Sequence, residues 1–251
     1  MKTVILYVFH EITPMVKYFD ERTFKKEGYD FIYIVNNDEI TNQTLSKLNL
    51  NRLYKLVKRK NIGNDFGAWS DIILAYDLQN KYDNFIFINS SVFGPISNED
   101  NNCNWCDTML NGLTEDVKLF GSTINGAYNF HVQSYAFCMK SDTLKYLKEE
   151  GIFRKDLQCN KSELIQNYEL KMSKLILDKG WNIGCLSGNA KNLDFRKEKL
   201  KQTIFSNYNH KYPDIQFRAY LHNILKPKEV LFIKGNRDMH LVEILFNIDN
   251  F

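Results

Sequence analysis

The 251-residue chain has no apolar run long enough to cross a bilayer, which takes about 18 residues or more. The apolar stretch at residues 4–9 stops at His10 and Glu11 after one strand's length, too short for a secretory leader. The five cysteines are odd in number and follow no disulfide framework. Cys103 and Cys106 form a lone C-x-x-C with no second pair or nearby histidines to complete a zinc site. A reducing, cytoplasmic setting is therefore expected. There is no G-x-G-x-x-G after the first apolar segment and no P-loop lysine motif, which disfavours the commonest dinucleotide and NTP sites. A G-x-S-x-G elbow and an H-E-x-x-H helix are absent as well. A net charge of +3 is too mild for a nucleic-acid face. The basic run at residues 55–60 is short, interrupted by Leu56 and Val57, and reads as a solvated strand edge.

What is present is enough apolar material for a core. Hydrophobic residues make up 44% and aromatics 14% of the chain, which argues against disorder and allows one large α/β domain or two small ones. The first half alternates strand and helix patterns. Strands are expected at 4–9, 30–35, 53–57 and 84–88. Helices are expected from Pro14 to about 24, over 41–48, and from Phe66, where Trp69, Ile72, Ile73 and Tyr76 recur at helical spacing. That order implies a parallel sheet with right-handed crossovers. The second half is less regular. Strands are expected at 117–120, 134–139, 182–186 and 230–233. Helices are expected at 142–150, at 163–178 with Ser162 as cap and Gly180 as stop, and at 215–225. Residues 189–211 read as a loop or cover. No repeat, linker or domain boundary interrupts the chain.

In an open α/β sheet, ligands bind outside the carboxyl ends of the strands. Two polar segments fall there. Asn61-Ile62-Gly63-Asn64-Asp65-Phe66-Gly67-Ala68-Trp69 is a turn with two glycines entering a helix. Asn89-Ser90-Ser91-Val92-Phe93-Gly94-Pro95 ends the fourth strand in small polar residues. His10 and Asn36 end the first and second strands. Asp65 can accept hydrogen bonds from a ribose or base, or can cap the helix beside it. Asn36 can read a base or form an Asx-turn. Trp69 suits a helix core stripe better than a sugar platform, and Trp105 fits either use.

Taken with His131-Val132-Gln133-Ser134-Tyr135 and Tyr168-Glu169-Leu170, in that order, these segments resemble the rhamnan-synthesis type of glycosyltransferase. The resemblance covers roughly residues 1–240. It implies a GT-A-like, Rossmann-like α/β fold: a single domain with a mostly parallel central sheet flanked by helices. Residues 1–98 would form a nucleotide-binding half and residues 99–251 an acceptor and catalytic half. It implies sugar transfer, with rhamnose a frequent sugar, from a nucleotide-sugar donor to a glycan acceptor. Glu169 would be the base for an inverting attack. His10, Asn36, Asn61, Asp65, Asn89, Ser90, Ser91, His131, Gln133 and Ser134 would line the donor site. GT-A enzymes usually carry an Asp-x-Asp motif where this chain reads Asn89-Ser90-Ser91. Mn²⁺ or Mg²⁺ would therefore be held weakly around Asn89 and Ser91, recruited mainly by the diphosphate. Alternatively, Lys234 and Arg237 would replace it as phosphate-binding cations. The same departure leaves open a catalytically silent module that only binds nucleotide or glycan. A nucleotidyltransferase would need clustered carboxylates that the strand ends lack. Neither a nucleic-acid partner nor a transmembrane segment is expected.

Overall fold

The computed structural model describes residues 1–96, 105–126, 129–155, 157–158, 160–197 and 227–235. The helix expected at 215–225, the later part of the segment at 189–211, Cys103 and Arg237 all lie outside the described residues.

Strands β1 (Thr3–Phe9), β2 (Tyr29–Val35), β3 (Lys55–Lys58) and β4 (Asn84–Asn89) alternate with helices α1 (Pro14–Glu21), α2 (Asn42–Leu45) and α3 (Asn64–Ala75). After the short β5 (Val92–Phe93) come α4 (Trp105–Leu110), β6 (Val117–Gly121), β7 (Ile124–Asn125), β8 (His131–Val132), β9 (Ala136–Lys140) and α5 (Ser141–Glu149). A helical arm follows, made of α6 (Lys161–Leu164), a π-helical stretch (Ile165–Leu170) and α7 (Lys171–Asp178). β10 (Asn182–Cys185), a helical turn at Pro227–Val230 and β11 (Ile233–Lys234) complete the described elements.

The main sheet has seven strands in the order β10-β6-β9-β4-β1-β2-β3. β3, β2, β1 and β4 run parallel, and β9 lies antiparallel between β4 and β6. The expected α/β class with a mostly parallel sheet is therefore observed. Strand order reverses beside β1, since the chain goes to β2 on one side and to β4 on the other. Such a switch opens a crevice at the carboxyl ends of the strands.

Both faces of the sheet are covered, which explains why the strands read as continuous apolar runs. Side chains alternate between faces. Val4, Leu6, Val8, Phe85 and Phe87 pack beneath α3, α5 and α7, while Ile5, Tyr7, Phe9, Ile86 and Ile88 pack beneath α1 and α4. At the centre of the first face, the Phe87 ring stacks on Phe137 at 4.7 Å and meets Trp69 edge-on at 5.3 Å. Trp69 is fully buried and its indole N–H donates to the Leu6 carbonyl. Trp105 is also buried, edge-on to Phe19 and Phe232. Neither ring presents a face to a sugar.

Several element ends differ from the sequence-based expectation. The helix from Pro14 stops at Glu21, with Thr13 capping it from Oγ1 to the Val16 amide. Only Asn42–Leu45 is helical in the 41–48 stretch. The arm starts earlier than Ser162: Asn160 is the cap and forms a reciprocal box with Glu163. The arm's α-helix is then interrupted by the π-helical stretch, which a 3.6-residue pattern does not reveal. Residues 230–233 are not a strand. Helix continues to Val230, and only Ile233–Lys234 pairs, antiparallel to β5.

Candidate functional site at the ends of β1 and β4

The turn between β3 and α3 is shaped by its two glycines. Gly63 has φ +70°, a left-handed conformation that favours glycine, and a Cβ there would lie 2.2 Å from the Leu157 carbonyl oxygen. A Cβ on Gly67 would lie 2.2 Å from the Ile62 carbonyl oxygen, so the turn can close onto the first turn of α3. Gly63, not Asp65, is the N-cap. Asp65 stands one residue inside α3, where the helix's positive end favours an anion.

This turn is pinned from behind by Arg59, a residue that the sequence reading passed over as part of a basic strand edge. The Arg59 side chain is 12% exposed. Its guanidinium donates to Asp71 Oδ2 at 2.7 and 3.0 Å, to the Ile62 carbonyl at 2.9 Å, and to Asn36 Oδ1. Asn36 completes the pin through Nδ2, which donates to the Asn64 carbonyl at 3.0 Å. Its own carbonyl lies 2.8 Å from His10 Nδ1. Asn36 is 3% exposed and both ends of its amide are engaged within the protein. In this structure its amide supports the turn. His10 and Asn61 are exposed at the rim.

β4 ends against this turn. Asn89 Nδ2 donates to Asp65 Oδ2 at 2.8 Å, while Asn89 Oδ1 accepts from the backbone N–H and the hydroxyl of Ser91. The Asn-Ser-Ser turn thus leans on a carboxylate contributed by α3. Ser90 is partly exposed, and its N–H donates to the Val8 carbonyl of β1.

The opposite wall comes from three distant segments. The arm packs its buried Tyr168 against Phe66 of α3, ring centroids 5.9 Å apart, and the charge of the next residue, Glu169, reaches Asp65. Ser134, buried just before β9, hydrogen-bonds the Glu169 carboxylate. β11 reaches the site through its pairing with β5, Lys234 opposite Val92, and the Gly235 N–H donates to the Ser91 carbonyl at 3.0 Å. Lys234 Nζ sits 5.9 Å from the Tyr135 ring centre and exerts its charge on Glu169. Gln133 and His131 are buried to a similar degree as Ser134. Gln133 accepts from the Thr123 hydroxyl at 2.7 Å, and His131, buried in β8, places Nδ1 2.8 Å from the Asn129 carbonyl. The structure therefore links Asp65, Asn89, Ser91, Ser134, Glu169 and Lys234 by hydrogen bonds, strand pairing and charge, with His131 and Gln133 buried in the segment that leads to Ser134.

Burial shifts both carboxylates in the same direction. Burial pushes the Asp65 carboxyl up to about 6; the Asn89 amide pulls it down and the Glu169 charge adds to the rise. Burial also raises Glu169 above the ordinary carboxylate range, opposed by the Lys234 charge, the Ser134 hydrogen bond and, more weakly, Lys161.

A metal held by protein carboxylates does not fit these donors. No three His, Cys, Asp or Glu side chains converge among the described residues. The Asn89 oxygen is already occupied by Ser91, and Glu169 faces an ammonium. A separate cavity of about 610 Å³ runs along β10, lined in part by Asp116, Phe120, Gly184 and Arg196. It lies at the far edge of the sheet, away from these groups.

A mostly parallel sheet with polar side chains gathered at its switch point places the molecule in the doubly wound α/β class. The chain belongs to the rhamnan synthesis protein F family, whose model matches residues 32–247. An uncharacterized protein of Sinorhizobium fredii is 27% identical over 158 residues, which is 62% of this chain and 40% of that protein. The chain thus spans well under half the length of that relative. Among solved structures, it resembles the glycosyltransferase GlyE of Streptococcus pneumoniae at 13% identity, over 84% of this chain and 53% of that one, with a TM-score of 0.44. It also resembles S. aureus TarS 1-349 in complex with UDP, at 11% identity, over 91% of this chain and 77% of that one, with a TM-score of 0.43. No helix among the described residues is long and apolar enough to cross a membrane.

Proposed function

We propose that the chain is an inverting glycosyltransferase that moves a sugar, with rhamnose the first to test, from a nucleotide sugar to a glycan acceptor. The observation that carries this reading is Glu169, held beside the carboxyl ends of β1 and β4 by the packing of Tyr168 on Phe66 and kept basic by burial. Family membership supports it independently.

In this mechanism the donor's nucleotide lies along the turn at Asn61–Asp65 that Arg59 and Asn36 hold in shape. The diphosphate lies over the Asn89-Ser90-Ser91 turn. An acceptor hydroxyl attacks the anomeric carbon from the face opposite the diphosphate. A new C–O bond forms as the bond to the diphosphate oxygen breaks, and that oxygen leaves with the electron pair. The hydroxyl proton passes to the Glu169 carboxylate, a general-base contribution of about 10²–10⁴-fold in comparable systems. Lys234 offsets the charge gathering on the leaving diphosphate, a role that metal ions supply elsewhere. A divalent ion carried in by the diphosphate would assist this neutralisation, with Lys234 as the protein's own contribution. Residues 1–98 then serve as the nucleotide half and residues 99–251 as the acceptor and catalytic half.

A thermal-shift screen with UDP, GDP, TDP and their sugars, followed by a transfer assay with the stabilising donor, tests the proposal. A ligand that binds the native state raises apparent stability with the logarithm of its concentration over Kd. Stabilisation by a nucleoside diphosphate with neither transfer nor hydrolysis of any sugar donor would favour the alternative, a nucleotide-binding module without activity. The absent Asp-x-Asp pair is what keeps that alternative in play.

A further inference from the structure

The main sheet ends at β3, whose outer edge pairs with no other strand among the described residues. Positive charge is gathered along that edge. Between Glu39 and Asp65 the chain holds six of its 33 lysines and arginines and none of its 30 aspartates and glutamates. The rest of the chain, 27 against 30, is net negative at −3. Arg59 turns inward onto Asp71. Lys47, Arg52, Lys55, Lys58 and Lys60 make no ion pair among the described residues. Arg52 donates to the Glu21 and Thr23 carbonyls, Lys58 to the Ile40 carbonyl and Asn42 Oδ1, and Lys55 Nζ lies 3.5 Å from the Tyr76 ring centre. Side chains alternate along β3, with Val57 packed on the α3 face and Leu56 on the other. Lys55 shares the side of Val57 and Lys58 that of Leu56, so cations flank the edge on both sides.

Lysines on an unpaired edge guard against strand-to-strand association. That role explains the cations but not the apolar groups set among them. Among the described residues, the exposed large apolar side chains are Met1, Leu50, Tyr54 and Ile62, and the last three all lie on this edge, 40%, 64% and 43% exposed. Leucine and isoleucine that enter an acyl boundary, a tyrosine ring at headgroup level and cations on anionic headgroups are what a bilayer surface takes. Nucleic acid is held by cations and stacked rings, and would leave Leu50 and Ile62 unused. We infer that the edge from Leu50 to Ile62 is a docking surface for an anionic lipid bilayer, a peripheral contact with no spanning segment. Ile62 belongs to the turn that enters α3, so docking brings the open ends of the strands close to the bilayer. It depends on charge and exposure, and not on which reaction the strand ends perform.

Co-sedimentation of the full chain with vesicles tests this, using equimolar phosphatidylglycerol and phosphatidylcholine against phosphatidylcholine alone. The wild type is expected to bind the anionic vesicles, more weakly as salt screens the charges, and to leave the neutral ones unbound. A cation near such a surface contributes roughly fivefold in affinity. Replacing the exposed Lys47, Lys58 and Lys60 together by Gln should therefore weaken binding on the order of 100-fold. The same replacement at Lys145, Lys148 and Lys179, exposed on α5 and at the end of α7, changes net charge equally and should leave binding within about twofold. Leu50→Asn with Tyr54→Ser keeps every charge and should weaken binding about tenfold. A urea midpoint close to that of the wild type checks that each variant is folded. Equal loss in the two lysine triples would reduce the effect to net charge and overturn the docking surface. Failure of the wild type to bind anionic vesicles, unchanged binding by the Leu50 and Tyr54 variant, or binding to a single-stranded RNA with none to vesicles would each overturn it as well.

Discussion

The two walls of the site are built on opposite principles. The wall from the first half, the turn after β3, satisfies itself. Arg59 is divided among Asp71, Asn36 and the Ile62 carbonyl, and Asn36 spends its amide on Arg59 and the Asn64 carbonyl. The wall from the second half brings charges of opposite sign, Glu169 and Lys234, to act on one another, and the Glu169 charge adds to the rise of the Asp65 carboxyl. The first arrangement has the character of a mould, since the Arg59 guanidinium and the Asn36 amide are spent on holding shape. The second has the character of a reactive site, since its groups gain most when another charge or proton arrives.

If that contrast is right, substitutions on the two walls should fail differently. The largest effect on turnover is expected from Glu169→Gln. It should lower kcat by about 10²–10⁴-fold while leaving donor Kd and the urea midpoint almost unchanged. Weakened donor binding in that variant would make Glu169 a ligand rather than a base. Arg59→Met is expected to do the reverse. Loss of hydrogen bonds from a charged, largely buried group should cost about 2–3 kcal/mol of stability, read as a lower urea midpoint, with weaker donor binding following from a loosened turn. An Arg59→Met protein as stable as wild type would break the comparison.

Asp65→Asn should have a smaller effect that depends on pH. The folded-state pKa of Asp65, about 6, lies above its ordinary value of 3.8. Between those two values the folded protein binds more protons than the unfolded one. The contribution of Asp65 to stability is thus fully present below about 4 and is lost as pH rises through 6. Replacing it with Asn should therefore help stability more at pH 7 than at pH 4, by about 1 kcal/mol, less than the full shift because Asp65 keeps some contact with water. Denaturant titrations at the two pH values read this difference directly. The mildest effect is expected from chelation. EDTA should reduce transfer only partly, since Lys234 already supplies positive charge. Complete loss restored by Mn²⁺ would show that the Asn-Ser-Ser turn still serves a metal.

Much of the first half was legible because a buried parallel strand announces itself as an apolar run and an amphipathic helix by its spacing. The 4–9, 30–35 and 84–88 strands were found to within one residue at either end. The two-glycine turn was also visible, since both glycines answer to close backbone approaches that any side chain would block. Arg59 was hidden because a charge in a run of charges looks solvated, and only the tertiary fold reveals that one of them is buried. Asn36 was equally opaque: an asparagine at a strand end gives no sign that its amide will be engaged by Arg59 and the Asn64 carbonyl. Lys234 was named from the sequence, but its strand's pairing was not foreseen, because β11 pairs with β5 across some 140 residues of chain. Glu169 was singled out by resemblance to a family, and its local geometry was unreadable because nothing in Ile165-Gln166-Asn167-Tyr168-Glu169-Leu170 marks a widened helical turn.

That widened turn bears on how this chain tolerates insertions and deletions. A π-helical stretch accommodates residues that an α-helix of the same span would not, and each residue of α-helix turns the side chains after it by roughly 100°. With the arm anchored by its capping box at Asn160 on one side and by buried Met172 and Ile176 on the other, the extra residue cannot be absorbed at either end. Deleting one residue at Gln166 or Asn167 would let the arm relax to regular α-helix, and Tyr168 and Glu169 would then be carried round the helix axis together. The position of the carboxylate is in this sense set by a count of residues as much as by their identity.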